Sequence, residues 1–210
     1  MVPVAAVGLL VFAALTALVQ TSERVQEWDS TAARWAADDM PAWLGSAAEA
    51  LTHTADTNVY IAATVVVAGL LMVVRRPRLA AFIVTVALGQ WLLSNLIKHL
   101  VQRERPDLHR LVDASGYSFP SGHATAAAAL FLALALVVMT LRPAWHRAAV
   151  LGVGITMGVA VALTRVLVGV HWTTDVLAGL ALGWSWCLVC AMVFRVVPMS
   201  NLRQAQPAAE

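Results

Sequence analysis

Long apolar runs are the feature that most constrains what this chain can fold into. Each run has about 17 to 22 residues, enough to cross a hydrocarbon layer roughly 30 Å thick. Because a segment that faces lipid must satisfy its own backbone hydrogen bonds, every run is predicted to be an α-helix. The sequence therefore predicts an all-α, polytopic membrane bundle of six transmembrane helices, at 2–19, 58–74, 79–97, 122–141, 148–169 and 174–194.

Composition excludes several classes of protein. The chain is 60% hydrophobic and 12% charged, whereas soluble domains average about 45–50% apolar and 25% charged residues. The net charge of +2 is small and dispersed, so no nucleic-acid partner is expected, because such proteins carry a clustered basic face. Cys187 and Cys190 form a C-x-x-C inside an apolar run, where a redox or zinc site would need exposed thiolates. We expect both cysteines to pack in the core.

The runs leave room for one domain, residues 1–197, followed by a polar cytoplasmic tail at 198–210. The first run lacks the basic flank and cleavage site of a signal peptide, so a retained helix is expected. The segment 20–57 carries seven acidic residues and three tryptophans spaced by seven and eight, Trp28, Trp35 and Trp43. This pattern predicts an extracytoplasmic amphipathic helix, or a pair of helices, lying in the membrane interface and capping the bundle. A lid over the path of a substrate is the alternative.

Two glycine pairs with G-x-x-x-G spacing occur in the last two runs. Small residues at this spacing let membrane helices approach closely. The fifth and sixth helices are therefore expected to pack on each other through Gly154, Gly158, Gly179 and Gly183.

Basic residues indicate the orientation. The linkers after the second and fourth runs, with the tail, hold seven arginines, and the opposite loops hold seven Lys or Arg residues. Three of the latter, Lys98, Arg105 and Arg165, belong to the candidate site described next. Setting them aside leaves an excess on the first side, which predicts cytoplasmic termini. The arginines counted on that side are Arg75, Arg76, Arg78, Arg142, Arg147, Arg195 and Arg203.

Ionisable residues near the runs are functional candidates, because charge is costly within a membrane. They form three groups: Lys98 with Arg105 and Pro106 after the third run, Pro120 to His123 at the fourth, and Thr164 to Asp175 between the fifth and sixth. Seven residues at about 100° each bring Lys98 and Arg105 to one helix face, and Pro106 ends that helix. Ser121 is a plausible N-cap whose following backbone N–H groups form an anion site, and Gly122 lets an anion approach.

Antiparallel threading brings all three groups to one membrane face. The gathered side chains are three cations, two imidazoles, a hydroxyl and a carboxylate four residues after a histidine. Fixed cations beside a helix N-terminus match a tetrahedral phosphate. The residues expected at this phosphate pocket are Lys98, Arg105, Ser121, Gly122, His123, Arg165, His171 and Asp175.

These residues resemble the type 2 phosphatidic acid phosphatase superfamily, metal-independent lipid phosphatases that share a site with vanadium haloperoxidases. The family pattern K-x6-R-P is met at Lys98 to Pro106, P-S-G-H at Pro120 to His123, and S-R-x5-H-x3-D at Thr164 to Asp175, where Thr164 replaces serine and keeps a hydroxyl. The chain has 13 Arg and a single Lys, and that lysine occupies the motif position. The first 97 residues match only as a hydrophobic pattern.

The resemblance implies a role for each motif residue. His171 would attack phosphorus and become phosphohistidine, and Asp175 would hold its imidazole in one tautomer. His123 would protonate the leaving oxygen. Lys98, Arg105, Arg165, Ser121 and Gly122 would bind the transferring oxygens. No cofactor or metal is implied, and a zinc site of His123, His171 and Asp175 is disfavoured because three neighbouring cations would repel a dication.

The remaining polar residues have simpler interpretations. His53, His99, His109 and His146 are expected at caps or interfaces, and Asp38 with Asp39 on a solvated face, while Tyr117, Asp113 and His109 are near enough in sequence to contact a head group.

The predicted activity is hydrolysis of a lipid phosphomonoester or pyrophosphate at the outer face of the cell membrane. Polyprenyl pyrophosphate, phosphatidic acid and phosphatidylglycerophosphate are equally compatible substrates, because the pocket reads only phosphate. A non-catalytic lipid-phosphate binder or transporter is the alternative, and a vanadate-dependent oxidase is disfavoured because that branch is soluble. The sequence does not indicate an oligomeric state.

Overall fold

The chain folds into a helical bundle, seen here in a computed structural model that describes residues 1–108, 110–141 and 144–196. The expected tail at 198–210, Arg142, Arg203 and His109 lie outside the described residues. The described residues form eight α-helices, with a π-helical turn at Trp35–Asp39 and a 3-10 turn at Ala144–His146: α1 (Val2–Thr21), α2 (Glu23–Arg34), α3 (Ala42–His53), α4 (Thr57–Val73), α5 (Pro77–Val101), α6 (Gly122–Leu141), α7 (Arg147–Leu167) and α8 (Thr173–Val193).

The all-α, multi-pass prediction is confirmed. Each predicted run coincides with a helix to within four residues at either end. Five helices, α1 and α5 to α8, are long and apolar enough to cross a membrane, and α3 with α4, bent by 46°, gives a sixth span if the pair is counted as one. Large apolar side chains on α1 and α4, such as Leu10 and Leu70, are exposed, as expected for helices that face lipid.

The segment 20–57 is helical but is not one continuous helix. After α2 the chain passes through the π-helical turn, and Met40 and Pro41 are extended before α3 begins. Trp28, Trp35 and Trp43 are all exposed. The location of this segment in the membrane interface stays a prediction.

The glycine prediction was wrong about the partner helix. Gly154 and Gly158 of α7 face α6, where a Cβ on Gly158 would lie 3.3 Å from Ala128 Cα. Gly179 and Gly183 of α8 also face α6, and a Cβ on Gly179 would lie 2.8 Å from Ser121 O. The reason is that α6, rich in small alanines, packs against both α7 and α8, so both glycine faces close on it. The helices α7 and α8 do contact each other, as predicted, but not through these glycines.

The most extensive cluster of buried apolar side chains among the described residues lies on the half of the bundle away from the predicted site. It gathers Phe82, Ile83, Val86, Leu136 and both cysteines, and Cys187 and Cys190 are buried and free, as expected. Beyond it, α5, α6 and α8 come together at one end, where Arg75, Arg76, Arg78 and Arg195 line a cavity of about 310 Å³ with Thr140 of α6. The three predicted groups lie at the opposite end.

Candidate active site

The site lies where α5 and α7 end and α6 and α8 begin. Lys98 lies in the last turn of α5 and Arg165 in the last turn of α7. Ser121 and His123 flank the first residue of α6, and Asp175 lies in the first turn of α8. The threading thus brings these helix ends to one face of the bundle.

Arg105 reaches the site differently from the prediction. The helix ends at Val101 because Gln102 adopts a left-handed backbone with φ 53°, so Arg105 lies in an irregular segment and shares no helix face with Lys98. Its guanidinium is held by backbone carbonyls instead, with Nη1 2.8 Å from Val170 O and Nη2 2.9 Å from Ser115 O. Several fixed acceptors aim the guanidinium at one position.

His171 is buried and its two ring nitrogens have different partners. Nη1 of Arg105 lies 3.1 Å from Nε2, and because a guanidinium can only donate, Nε2 must be the accepting nitrogen. The proton of the neutral ring is therefore assigned to Nδ1, which lies 3.5 Å from Asp175 Oδ2 and 3.3 Å from Ser118 Oγ. This tautomer leaves a lone pair on Nε2 beside a cation.

Burial lowers the pKa of His171 to about 3, and the charges of Arg105 and Lys98 add to this, while the hydrogen bond and charge of Asp175 oppose it. The imidazole is thus neutral at physiological pH. A neutral buried imidazole is the form that can act as a nucleophile.

Asp175 is fully buried and every partner of its carboxylate is fixed. Oδ1 pairs with Nη1 of Arg103 at 2.6 Å. Oδ2 accepts the hydroxyl of Ser118 and the backbone N–H of Trp172 at 3.0 Å. Neither Ser118 nor Arg103 was among the predicted site residues.

Arg103 connects Asp175 to the segment 20–57 through a second ion pair. Its Nη2 lies 2.7 Å from Asp29 Oδ2 on α2, and the Asp29 side chain is 1% exposed. Asp29 also accepts from the backbone N–H of Thr174 at 3.0 Å. A signal was present in the sequence, because Asp29 shares a helix face with Ala33 and Ala36, which are buried, and a carboxylate on such a face needs a partner.

The phosphate-binding candidates leave buried donors unused. Lys98 Nζ donates to Tyr117 O at 2.6 Å, and Arg165 Nη1 donates to Thr52 Oγ1 of α3 at 2.5 Å. Arg165 Nε and the hydroxyl of Ser94, one turn before Lys98, are buried without a partner among the described residues. An oxyanion beside Arg165 would satisfy a donor whose burial is otherwise costly.

Ser121 and Gly122 form the start of α6 as predicted. The backbone N–H of Ala124 donates to Ser121 Oγ at 3.4 Å, which confirms the expected N-cap contact. A Cβ on Gly122 would lie 3.9 Å from Lys98 Cε and from Ser94 Oγ, so the first N–H groups of the helix lie beside Lys98.

His123 contacts a carboxylate that the sequence analysis did not select. Its Nε2 lies 3.5 Å from Asp56 Oδ1, between α3 and α4, and the other oxygen of Asp56 lies 3.0 Å from His53 Nδ1. Burial acts to raise the pKa of Asp56, but the hydrogen bonds and charges of the two histidines outweigh it and lower that pKa. His53, expected only at a cap or interface, therefore reaches the edge of the site.

These groups border a cavity of about 450 Å³ that opens between α3 and the 110–113 segment. His123 and Arg165 form its inner wall, and Glu49, Thr52, Asp56, Arg110 and Asp113 complete it. Asp113 lines this cavity, and Tyr117 contributes its carbonyl to Lys98; a contact of either residue with a head group stays a prediction. In the part of the chain that is described, no group of three or more His, Cys, Asp or Glu side chains is arranged so that it could hold a metal ion.

Comparisons with known proteins show which family and which fold this chain resembles. The PAP2 superfamily model matches residues 78–198. Phosphatidylglycerophosphatase B of Bacillus subtilis is 29% identical over 84% of this chain and 88% of its own length. Lipid A 1-phosphatase of Rhizobium etli is 36% identical over 55% of this chain and 50% of its own length. The crystal structure of a transmembrane PAP2 type phosphatidylglycerolphosphate phosphatase from Bacillus subtilis covers 94% of this chain and 98% of its own, at 26% identity and a TM-score of 0.86.

Proposed function

This chain belongs to the PAP2 superfamily of phosphatases, and we propose that it hydrolyses a lipid phosphomonoester or pyrophosphate through a phosphohistidine formed on His171. The observation that carries the proposal is the setting of His171, a buried ring with Nδ1 toward Asp175 and Nε2 3.1 Å from Arg105. In this setting the lone pair of a neutral imidazole faces a fixed cation, which is the arrangement that a nucleophile needs in order to attack an anionic phosphate.

In the proposed first step Nε2 of His171 attacks phosphorus while the bond to the leaving oxygen breaks. His123 gives a proton to that oxygen, which departs as an alcohol or, from a pyrophosphate, as a lipid monophosphate. In the second step water attacks the phosphohistidine, His123 takes a proton from the water, and inorganic phosphate leaves. The imidazolium formed on His171 is stabilised by Asp175.

The transferring phosphoryl oxygens would be bound by the three cations and the start of α6. Lys98, Arg105 and Arg165 supply positive charge, and Ser121 with the N–H of Gly122 supplies donors at the helix N-terminus. Nε of Arg165, which has no partner among the described residues, supports this assignment, because it is a buried donor that an anion would satisfy.

A lipid substrate is supported by a groove in the wall of the bundle. Between α4 and α5 an apolar groove of about 520 Å³ is lined by Ile61, Val65, Ala68, Val84 and Leu88. The end of this groove nearer the site joins the cleft that contains Lys98 and His123. The hydrocarbon chain would lie in this groove while the phosphate occupies the polar pocket.

The topology we propose has six spans, with α4 as the second, both termini cytoplasmic and the site on the extracytoplasmic face. The cluster of Arg75, Arg76, Arg78 and Arg195 at the end opposite the site supports this orientation by the positive-inside rule. Arg103 pairs with Asp175 in the site, so it is also set aside from the count of basic residues. The Lys or Arg residues that remain on the outer side are then Arg24, Arg34 and Arg110.

The test is phosphate release by the purified protein from phosphatidic acid, phosphatidylglycerophosphate and undecaprenyl pyrophosphate. We expect His171→Ala to lower turnover at least about 10³-fold, as loss of a nucleophile does, and His99→Ala, at an exposed histidine, to match the wild type. An alkaline quench, in which P–N bonds survive, should trap phosphoenzyme only when His171 is present. Turnover by His171→Ala at the wild-type rate would refute the proposal.

A further inference from the structure

A cleft lined by both polar and apolar side chains lies between the phosphate pocket and the apolar groove. It has a volume of about 180 Å³ and lies between α4 and α5, with Lys98, Gly122 and His123 at one end. Tyr60, Gln90 and Trp91 line both this cleft and the apolar groove. Any lipid that has phosphate at Lys98 and its chains in the groove must pass through this cleft.

The cleft contains buried polar atoms that have no partner among the described residues. Ser94 is 3% exposed, and its hydroxyl makes no hydrogen bond with any of them. The hydroxyl of Tyr60 is also buried, and the side chain of Gln90 lies beside it. Gln90, 4% exposed, adds an amide. Buried polar groups are nearly always satisfied in folded proteins, so this cluster points to a ligand with polar atoms.

The spacing of the cluster suggests what that ligand is. Lys98, Ser94 and Gln90 are four residues apart on α5, which places each about 6 Å deeper along the helix axis than the one before. In a glycerolipid phosphate, the ester oxygens follow the phosphate at this scale, before the acyl chains begin. A polyprenyl chain, in contrast, has only carbon and hydrogen beyond its phosphates.

The charge of the cluster favours a neutral group over a second phosphate as its occupant. Lys98 is the one cation among the described residues that line the cleft, and it already faces the phosphate pocket. Hydroxyl and amide groups instead suit neutral carbonyl acceptors.

We propose that Tyr60, Gln90 and Ser94 bind the ester oxygens of a diacylglycerol-type phosphate, so that the chain prefers glycerolipid phosphates over polyprenyl phosphates. The inference rests on the proposed lipid phosphatase function and names the substrate class for the same site. A site that is built to hydrogen-bond a substrate discriminates against an analogue that lacks those groups, because its own buried polar atoms are then left unpaired.

The experiment compares two substrates that differ only at the ester groups. One is dioctanoyl phosphatidic acid, and the other is its dialkyl ether analogue with the same chain lengths, both in mixed detergent micelles. We expect wild-type kcat/KM to be about 10-fold or more higher for the diacyl lipid, in the range of one or two lost hydrogen bonds. Farnesyl phosphate should be used less well than the diacyl lipid.

Ser94→Ala and Tyr60→Phe should each lower kcat/KM on the diacyl lipid by about 10-fold and bring the diacyl to dialkyl ratio toward one. The ratio is measured within each variant, so a change in the amount of folded protein cancels. Ser185→Ala is the matched control, because Ser185 is a buried hydroxyl that faces Gly8 of α1, and it should keep the wild-type ratio.

The outcomes separate the two proposals. Equal kcat/KM on both lipids, a ratio that Ser94→Ala and Tyr60→Phe leave unchanged, or a preference for farnesyl phosphate would overturn the cleft assignment while turnover itself survives. No phosphate release from any lipid would overturn the proposed function and this inference with it.

Discussion

Replacing Arg103 by glutamine tests whether this partly buried cation between two buried carboxylates holds the site together. Arg103 lies 2.7 Å from Asp29 and 2.6 Å from Asp175, whose side chains are 1% and 0% exposed. Removing one partner of a buried ion pair costs about 3–5 kcal/mol, because the remaining charge is left uncompensated. For a chain of this size about 2–4 °C of melting temperature corresponds to each kcal/mol, so Arg103→Gln should melt roughly 6–20 °C lower.

A double-mutant cycle isolates the interaction. Asp29→Asn leaves Arg103 paired with Asp175 and should cost less, about 1–3 kcal/mol. The double variant buries one uncompensated carboxylate instead of two, so it should be more stable than the sum of the single effects predicts, by at least about 1 kcal/mol. Thermal unfolding of purified protein in one detergent measures all four proteins.

Activity provides a second measurement. Arg103→Gln also frees one oxygen of Asp175, so turnover should fall about 10-fold or more at temperatures where the variant is still folded, since small displacements of catalytic groups are costly. The matched control is Arg24→Gln, an arginine of α2 that is exposed. The reasoning is refuted if Arg103→Gln melts within a degree or two of Arg24→Gln, or if the two single effects simply add.

Four further predictions concern the chemistry and the topology. His123→Ala should lose about 10²- to 10⁴-fold on an alkyl phosphate but much less on an aryl phosphate with an electron-poor phenol, whereas His171→Ala should fail on both; the assignment fails if the leaving-group dependence appears in His171→Ala instead. Because the pKa of His171 is lowered from 6.5 to about 3, its neutral form should persist as pH falls, and nitrogen-15 NMR should show no titration of this ring between about pH 5 and 8; a midpoint near the ordinary value would contradict this. Hydrolysis should survive EDTA and be blocked by vanadate, and loss on chelation restored by Mg²⁺ or Zn²⁺ would disprove metal independence. Single cysteines at Asp107 and Arg147, in a background without the native cysteines, should label from opposite sides of the membrane, Asp107 from outside; labelling of both from one side would disprove the threading.

The sequence alone determined the architecture, because a membrane leaves few choices. Apolar runs of sufficient length must become helices in lipid, and each predicted run is a helix to within a few residues. Antiparallel threading then fixes which helix ends share a face, so the convergence of Lys98, Ser121, Arg165 and Asp175 followed from counting spans. Both predictions depend only on the length of the apolar runs and on their order along the chain.

Local backbone conformation was not determined in this way. The prediction that Lys98 and Arg105 share a helix face failed because α5 ends at a left-handed residue, Gln102, a change of direction that no hydrophobic period records. The glycine pairs were likewise assigned to the wrong neighbour, since spacing shows that a helix can be approached closely but not by which helix.

Only the tertiary structure decided how the segment 20–57 takes part in the site. Asp29, Thr52 and Asp56 are far from the motifs in sequence, yet they contact Arg103, Arg165 and His123 across the bundle. Their role depends on the positions of α2 and α3 over the helix ends, which are set by packing between distant residues. The physical reason is that a buried charge interacts with whichever group lies close to it in space. Sequence patterns indicate only which residues are neighbours along one helix.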